Sequence, residues 1–246
     1  MKRRYLAIVF LIITLTIGKA SSGTFQQANE AYKQKNYIQA LNLYSQLINQ
    51  GIDNPYLFYN IGNTFYKLNQ PGKAICFYKK ALRLLPRNKE IKQNLQFIQT
   101  SLGIKEQALP WWNKIILYPV LWLTINELSI ILAILGGILA IWLIFYQITS
   151  FSSIQFKLIG IISLIIFIFT AIYWGIDAYN YWYINKGIII KDNIIARSGP
   201  GEDYMDIVKL REGTQIIIRT KQEGWFQINI SKGVEGWIPQ DSCWKI

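Results

Sequence analysis

Leu128 to Tyr146 and Leu158 to Ile176 are each 19 residues long and carry no charged side chain. As helices rising 1.5 Å per residue they reach about 28 Å, close to the thickness of a bilayer's hydrocarbon core. Two helices that are apolar all round need a solvent other than water. The linker Gln147 to Lys157 is short and polar, with a single lysine. Aromatic residues gather at the ends: Trp111 and Trp112 before the first run, then Tyr173, Trp174, Tyr181, Trp182 and Tyr183 at the close of the second. Such side chains favour the headgroup region. Residues 111–183 are therefore expected to form a membrane hairpin, with spans at about 128–146 and 158–176, and the lipid bilayer is one partner of the chain. Ile115 to Thr124 is apolar but broken by Pro119, which suits an interfacial lead-in. Glu127 suits the N-terminus of the first spanning helix.

The N-terminus fits the same environment. Lys2-Arg3-Arg4 precedes an apolar run from Leu6 to Ile17, followed by Gly18-Lys19-Ala20 and a polar stretch. This pattern predicts an export signal over residues 1–20, cleaved after Ala20 or retained as an anchor. The cationic end stays cytoplasmic, so residues beyond the signal lie across the membrane. The hairpin returns the chain to the side it left.

Composition narrows the chemistry. Charged residues are 16% of the chain, against about 25% in an ordinary soluble domain. There is no histidine, which excludes Ser-His-Asp and Cys-His catalysis and His-ligated metal. The two cysteines, Cys76 and Cys243, form no metal-binding or redox motif, and a disulfide between them needs an oxidising compartment. Ser153 and Lys157 are the nearest thing to a nucleophile pair, in a linker too short to bury them. No cofactor or metal site is read, and no enzyme is expected. The net charge of +12 concentrates in residues 21–113, with 11 Lys/Arg against 4 Asp/Glu. These cations form no run and accompany no nucleic-acid motif, so nucleic acid is not expected as a partner.

Residues 24–102 repeat at a shift of 34. Ala28, Ala40 and Tyr44 recur as Gly62, Ala74 and Tyr78; Asn29, Tyr32 and Lys33 recur as Asn63, Tyr66 and Lys67. In the second copy Phe58, Ile61, Gly62, Phe65, Ala74, Tyr78, Ala81 and Pro86 match the signature of the tetratricopeptide family, which the segment resembles. Small Gly62 and Ala74 suit a close helix crossing, and Pro86 ends the second helix. Ile91, Leu95, Ile98 and Leu102 follow at helical spacing, as a capping helix would place them. The resemblance implies a concave groove formed by Asn29, Tyr32, Lys33, Tyr59, Asn63, Tyr66 and Lys67. Asn29 and Asn63 occupy the positions with which some members clamp a peptide carboxylate. The third basic station of such a clamp is missing, since the capping helix offers Gln93 and Phe97. A basic, aromatic groove for an acidic or extended segment is the alternative.

Residues 184–246 alternate short β-branched or aromatic runs with turns. Strands are expected at Ile188-Ile190, Asn193-Ala196, Gln215-Arg219, Trp225-Ile230 and Trp237-Ile238. Arg197-Ser198-Gly199-Pro200, Glu212-Gly213-Thr214, Gly224-Trp225 and Gly236-Trp237-Ile238 resemble, in that order, the bacterial SH3 domain, a small β-barrel. Ile195-Ala196 stands where Asn-Val is usual. Tyr204, Trp225 and Trp237 are its candidate surface aromatics, although the two tryptophans also suit the core. The resemblance implies binding to cell-wall peptides or envelope proteins.

The whole chain is thus expected to be a multidomain membrane protein: all-α tetratricopeptide repeats, a two-helix transmembrane hairpin and a small all-β SH3-like barrel. That order resembles the BatE-type proteins of the Bacteroides aerotolerance group. The resemblance implies a non-enzymatic scaffold in the bacterial inner membrane with both soluble modules in the periplasm. Its partners would be other Bat-type membrane proteins, several with von Willebrand factor A domains, and a MoxR-type ATPase. The alternative is a peptidoglycan-binding anchor acting through the SH3-like domain.

Overall fold

The computed structural model describes residues 22–104, 123–149, 153–230 and 233–246. The expected signal segment, Trp111, Trp112 and most of the expected interfacial lead-in lie outside these residues. The described chain falls into two compact units. Residues up to 104 join those from 186 onward in one, and the segment between forms the other.

The first unit begins with five helices: α1 (residues 22–33), α2 (Tyr37–Asn49), α3 (Pro55–Lys67), α4 (Pro71–Leu84) and α5 (Lys89–Ser101). Asn36, Asn54 and Asn88 cap α2, α3 and α5 by accepting backbone N–H groups of the first turn. Pro55 and Pro71 open α3 and α4, where a missing N–H costs nothing. Gly62 is small by necessity: a Cβ there would stand 2.7 Å from the Tyr78 ring where α3 crosses α4. The core between these helices holds Ile61, Phe65, Ala74, Tyr78 and Ala81. Each large side chain there contributes about 1.5–3 kcal/mol of burial.

The 34-residue period is also written in the backbone. Lys35, Asn69 and Gly103 all have positive φ, at 62°, 57° and 66°. Each follows a helix (α1, α3 and α5) and donates its N–H to the carbonyl three residues earlier, Tyr32, Tyr66 and Thr100. The next N–H in each case reaches back five residues, to Ala31, Phe65 and Gln99. A left-handed residue that turns two N–H groups back onto orphan carbonyls is a common helix ending. Helix α5 therefore ends as α1 and α3 do.

The same unit contains an antiparallel sheet of seven strands: β1 (Asn185–Ile189), β2 (Ile194–Arg197), β3 (Asp206–Leu210), β4 (Gln215–Gln222), β5 (Trp225–Ile230), β6 (Val234–Pro239) and β7 (Cys243–Lys245). Their spatial order is β3-β2-β6-β5-β4-β1-β7. Sequence reading gave five strands and missed β3 and β7. Strand alternation gives the β1–β7 ribbon two buried faces. Ile189 and Cys243, paired in register, face the core of the sheet with Ile216, Ile228 and Ile238. Their neighbours Ile188 and Trp244, also paired, join the helical core. Trp244 meets Phe65 and Phe77 edge-on at 5.6 and 6.1 Å. Both cysteines are free and buried, Cys76 in the helical core and Cys243 in the sheet core. Burial pushes their thiols up to about 11 and about 12.

The β3–β4 turn completes this docking. Glu212 accepts a hydrogen bond from the Gly72 amide at the start of α4, at 2.7 Å. Gly213, with φ +82°, is packed so closely that a Cβ would meet Ile104 at 2.6 Å and Ile75 at 2.7 Å.

The second unit contains α6 (Ile125–Thr149) and α7 (Ile154–Trp182), both long and apolar enough to cross a membrane. They outrun the expected spans at both ends, which shortens the linker. Thr124 and Glu127 bond reciprocally at the start of α6, a capping box. Trp142 of α6 packs against Gly160 of α7, where a Cβ would approach its ring to 2.0 Å. Trp174 donates to Ser129 Oγ at 2.9 Å. Most remaining isoleucines and leucines of both helices face outward.

Candidate partner-binding groove

All seven residues expected in the groove border two cavities that share Tyr32 and Asn63. One, of about 350 Å³, is lined by Tyr59, Tyr66, Lys67, Asn94 and Phe97 among others. The second, of about 320 Å³, is lined by Asn29, Lys33, Tyr44 and Asn60 besides the shared pair. Tyr66 meets Phe97 edge-on at 6.1 Å, and Phe97 remains 60% exposed. Sequence reading placed Phe97 on the capping helix; the structure makes it part of the wall. Asn60 and Asn94, themselves 34 apart, join the expected residues in lining these cavities.

Those two asparagines reveal the design of the floor. Asn29 Oδ1 accepts from the Tyr44 hydroxyl at 2.6 Å and from Asn60 Nδ2 at 2.8 Å. Thirty-four residues on, Asn63 Oδ1 accepts from the Tyr78 hydroxyl at 2.5 Å and from Asn94 Nδ2 at 3.4 Å. Two donors converge on each amide oxygen, so flipping either amide would set NH₂ against NH₂. Orientation is fixed, which leaves Nδ2 as the donor of each amide; that of Asn63 lies within reach of the Tyr59 hydroxyl. Burial holds the tyrosines as donors, pushing Tyr44 up to about 12 and Tyr78 higher still.

Lys33 and Lys67 follow Asn29 and Asn63 by four residues, one turn along the same helix face. Lys33 is well exposed and loosely paired with Glu30 at 3.7 Å. Each cavity is thus lined by an asparagine amide and a lysine ammonium group, chemistry suited to carbonyl or carboxylate oxygens. Glu90 is the acid at the margin, accepting from the Tyr59 hydroxyl at 2.7 Å. That bond and burial, the larger influence, raise the Tyr59 hydroxyl.

On the sheet, Trp225 and Trp237 do not fill the core. Register places Gln227 opposite Trp237, Trp225 opposite Pro239, and Trp237 opposite Arg197. These side chains share the face opposite Ile228 and Ile238, and both tryptophans are half-buried. Arg197 is held by Asp206 at 3.4 Å and donates to the Gly201 carbonyl. Tyr204, 50% exposed, lies over Gly199 and Gly201. Ser153 is the N-cap of α7, accepting from the Phe156 amide. Among the described residues no group of acidic or cysteine side chains is arranged to hold a metal.

Residues 192–242 match the family model described as Bacterial SH3 domain. A comparison with curated proteins gives no match.

Proposed function

We propose that this chain is a non-enzymatic, membrane-anchored scaffold whose helical groove captures an acidic or extended segment of a partner protein. The observation that carries the reading is the convergence of Asn29, Lys33, Asn63 and Lys67 on two adjoining cavities walled by Tyr32, Tyr59, Tyr66 and Phe97. The 34-residue recurrence of turns and of the Tyr–Asn–Asn bonds supports treating the helices as two tetratricopeptide-type repeats and a capping helix. The packing of Ile188 and Trp244 into the helical core supports placing helices and sheet in one compartment. Helices α6 and α7 would then cross the inner membrane out and back, with the soluble body in the periplasm. A BatE-like role in an aerotolerance or envelope-integrity complex is the physiological form of this reading.

The test is site-specific photo-crosslinking in intact cells. A crosslinker replacing Tyr66 should yield a discrete protein adduct, whereas one at Ile38, exposed on α2, should not. Adducts of equal yield at both positions would remove the groove.

A second reading rests on the outward tryptophans. Trp225 and Trp237 beside Arg197 and Gln227 offer a platform for a peptidoglycan fragment. Co-sedimentation of the detergent-solubilised chain with purified sacculi, lost on Trp237→Ala, is the expected result.

A further inference from the structure

We propose that Arg211, from the SH3-like sheet, completes the helical groove by supplying its third cationic station. The inference rests on the groove reading and goes further by naming a residue outside the helices. The cationic positions of the groove recur at the repeat length, Lys33 on α1 and Lys67 on α3. One further step of 34 reaches Ser101 at the end of α5, which has no charge. Two residues beyond stands Gly103, the backbone equivalent of Lys35 and Asn69. There the sheet intervenes: Nη1 of Arg211 lies 3.9 Å from the place a Gly103 Cβ would take.

Arg211 is exposed, yet its backbone is held firmly. The next residue, Glu212, is bonded to Gly72, and the one after, Gly213, is wedged among Ile75, Leu102 and Ile104. The guanidinium thus projects from a turn anchored on both α4 and α5. A planar fork of donors suits carboxylate recognition. The occupant is an acidic, extended polypeptide segment. Residues 22–104 hold ten Lys/Arg against three Asp/Glu, so the complementary charge is negative.

Length provides the test. Neighbouring packed helices lie about 10 Å apart and an extended chain advances about 3.4 Å per residue, so two stations need about four residues and three need about seven. Fluorescein-labelled (Glu-Ala)₂ and (Glu-Ala)₄ are titrated at low salt into the full chain in detergent micelles. Lys67→Gln should weaken both peptides. Arg211→Gln should weaken only the octapeptide, by about three- to tenfold, as expected for one charge-assisted contact. Arg211→Lys should restore most of that loss, which a merely structural defect would not allow. Equal effects of Arg211→Gln on both peptides, or none on either, overturn the composite site while leaving the groove. Indifference of both peptides to Lys67→Gln overturns the groove and the inference together.

Discussion

The amide of Gly72 and the carboxylate of Glu212, 140 positions apart, meet at 2.7 Å. A side chain from the sheet thereby serves the N-terminus of α4, where Gln70 supplies no side-chain cap. Gly72 is obligatory, since a Cβ would stand 2.5 Å from Glu212 Cγ and 2.7 Å from the Ile189 carbonyl.

This contact gives a pH signature. Burial is the largest influence on Glu212 and raises its carboxyl above the usual range; the Gly72 amide lowers it, Asp192 raises it and Lys73 lowers it. A group raised in the folded state stabilises fully below its unfolded value of 4.5 and loses that contribution as pH rises through the folded value. Glu212→Gln does not titrate. The stability of the wild type relative to this variant should therefore fall between pH 4.5 and neutrality in denaturant titrations. A relative gain over that interval would mean that the bond to Gly72 outweighs burial.

Gly213→Ala and Gly224→Ala separate backbone strain from crowding. Both glycines have φ above +80°, but only Gly213 has neighbours within 4 Å of a Cβ. Gly224→Ala should cost about 1–2 kcal/mol for the left-handed conformation alone. Gly213→Ala should cost about 1–3 kcal/mol more, because α4 and α5 must move aside. Thermal unfolding of the two variants checks the difference.

Asn63 supports the fold as well as the groove. Asn63→Ala leaves the buried Tyr78 hydroxyl without its acceptor, at a cost of about 1–3 kcal/mol. Adding Tyr78→Phe should recover part of that loss. A double-mutant cycle in urea reads the coupling, and strictly additive losses would show that the hydroxyl has another partner. For partner binding, Lys33 and Lys67 are accordingly the cleaner substitutions.

In the unit of α6 and α7, Gly160→Ala sets a methyl group against the Trp142 ring and should open the hairpin at about 1–3 kcal/mol. Nitroxide labels on Gly136→Cys and Phe167→Cys, which face each other across α6 and α7 (a Cβ at Gly136 would lie 3.4 Å from the tip of the Phe167 ring), should lie farther apart in the variant than in the wild-type background.

The legible parts of this chain were those written as local rhythm. The 34-residue shift picked out side chains that line the two cavities, and two uncharged runs located α6 and α7. What escaped was set by distance. Strand β7 is three residues long, and it is a strand because Trp244 packs on Phe65 and Phe77, far away in sequence. Strand β3 lacks a clean alternation: Asp206 to Lys209 are all exposed, and a bulge interrupts its pairing with β2. Trp225 and Trp237 were ambiguous because a strand pattern does not say which face is wet. Arg211 carried no motif; only the docking of its turn against α5 brings it beside Gly103.

The first unit is assembled from residues on either side of α6 and α7, which are synthesised in between. While α6 and α7 are being made, Phe65, Phe77 and Cys76 on the helices have no Trp244 to cover them, and the edge of the core stays open. Burial of this seam is thus deferred: the helical core waits for β7, the last of the described strands to be made, before it is covered.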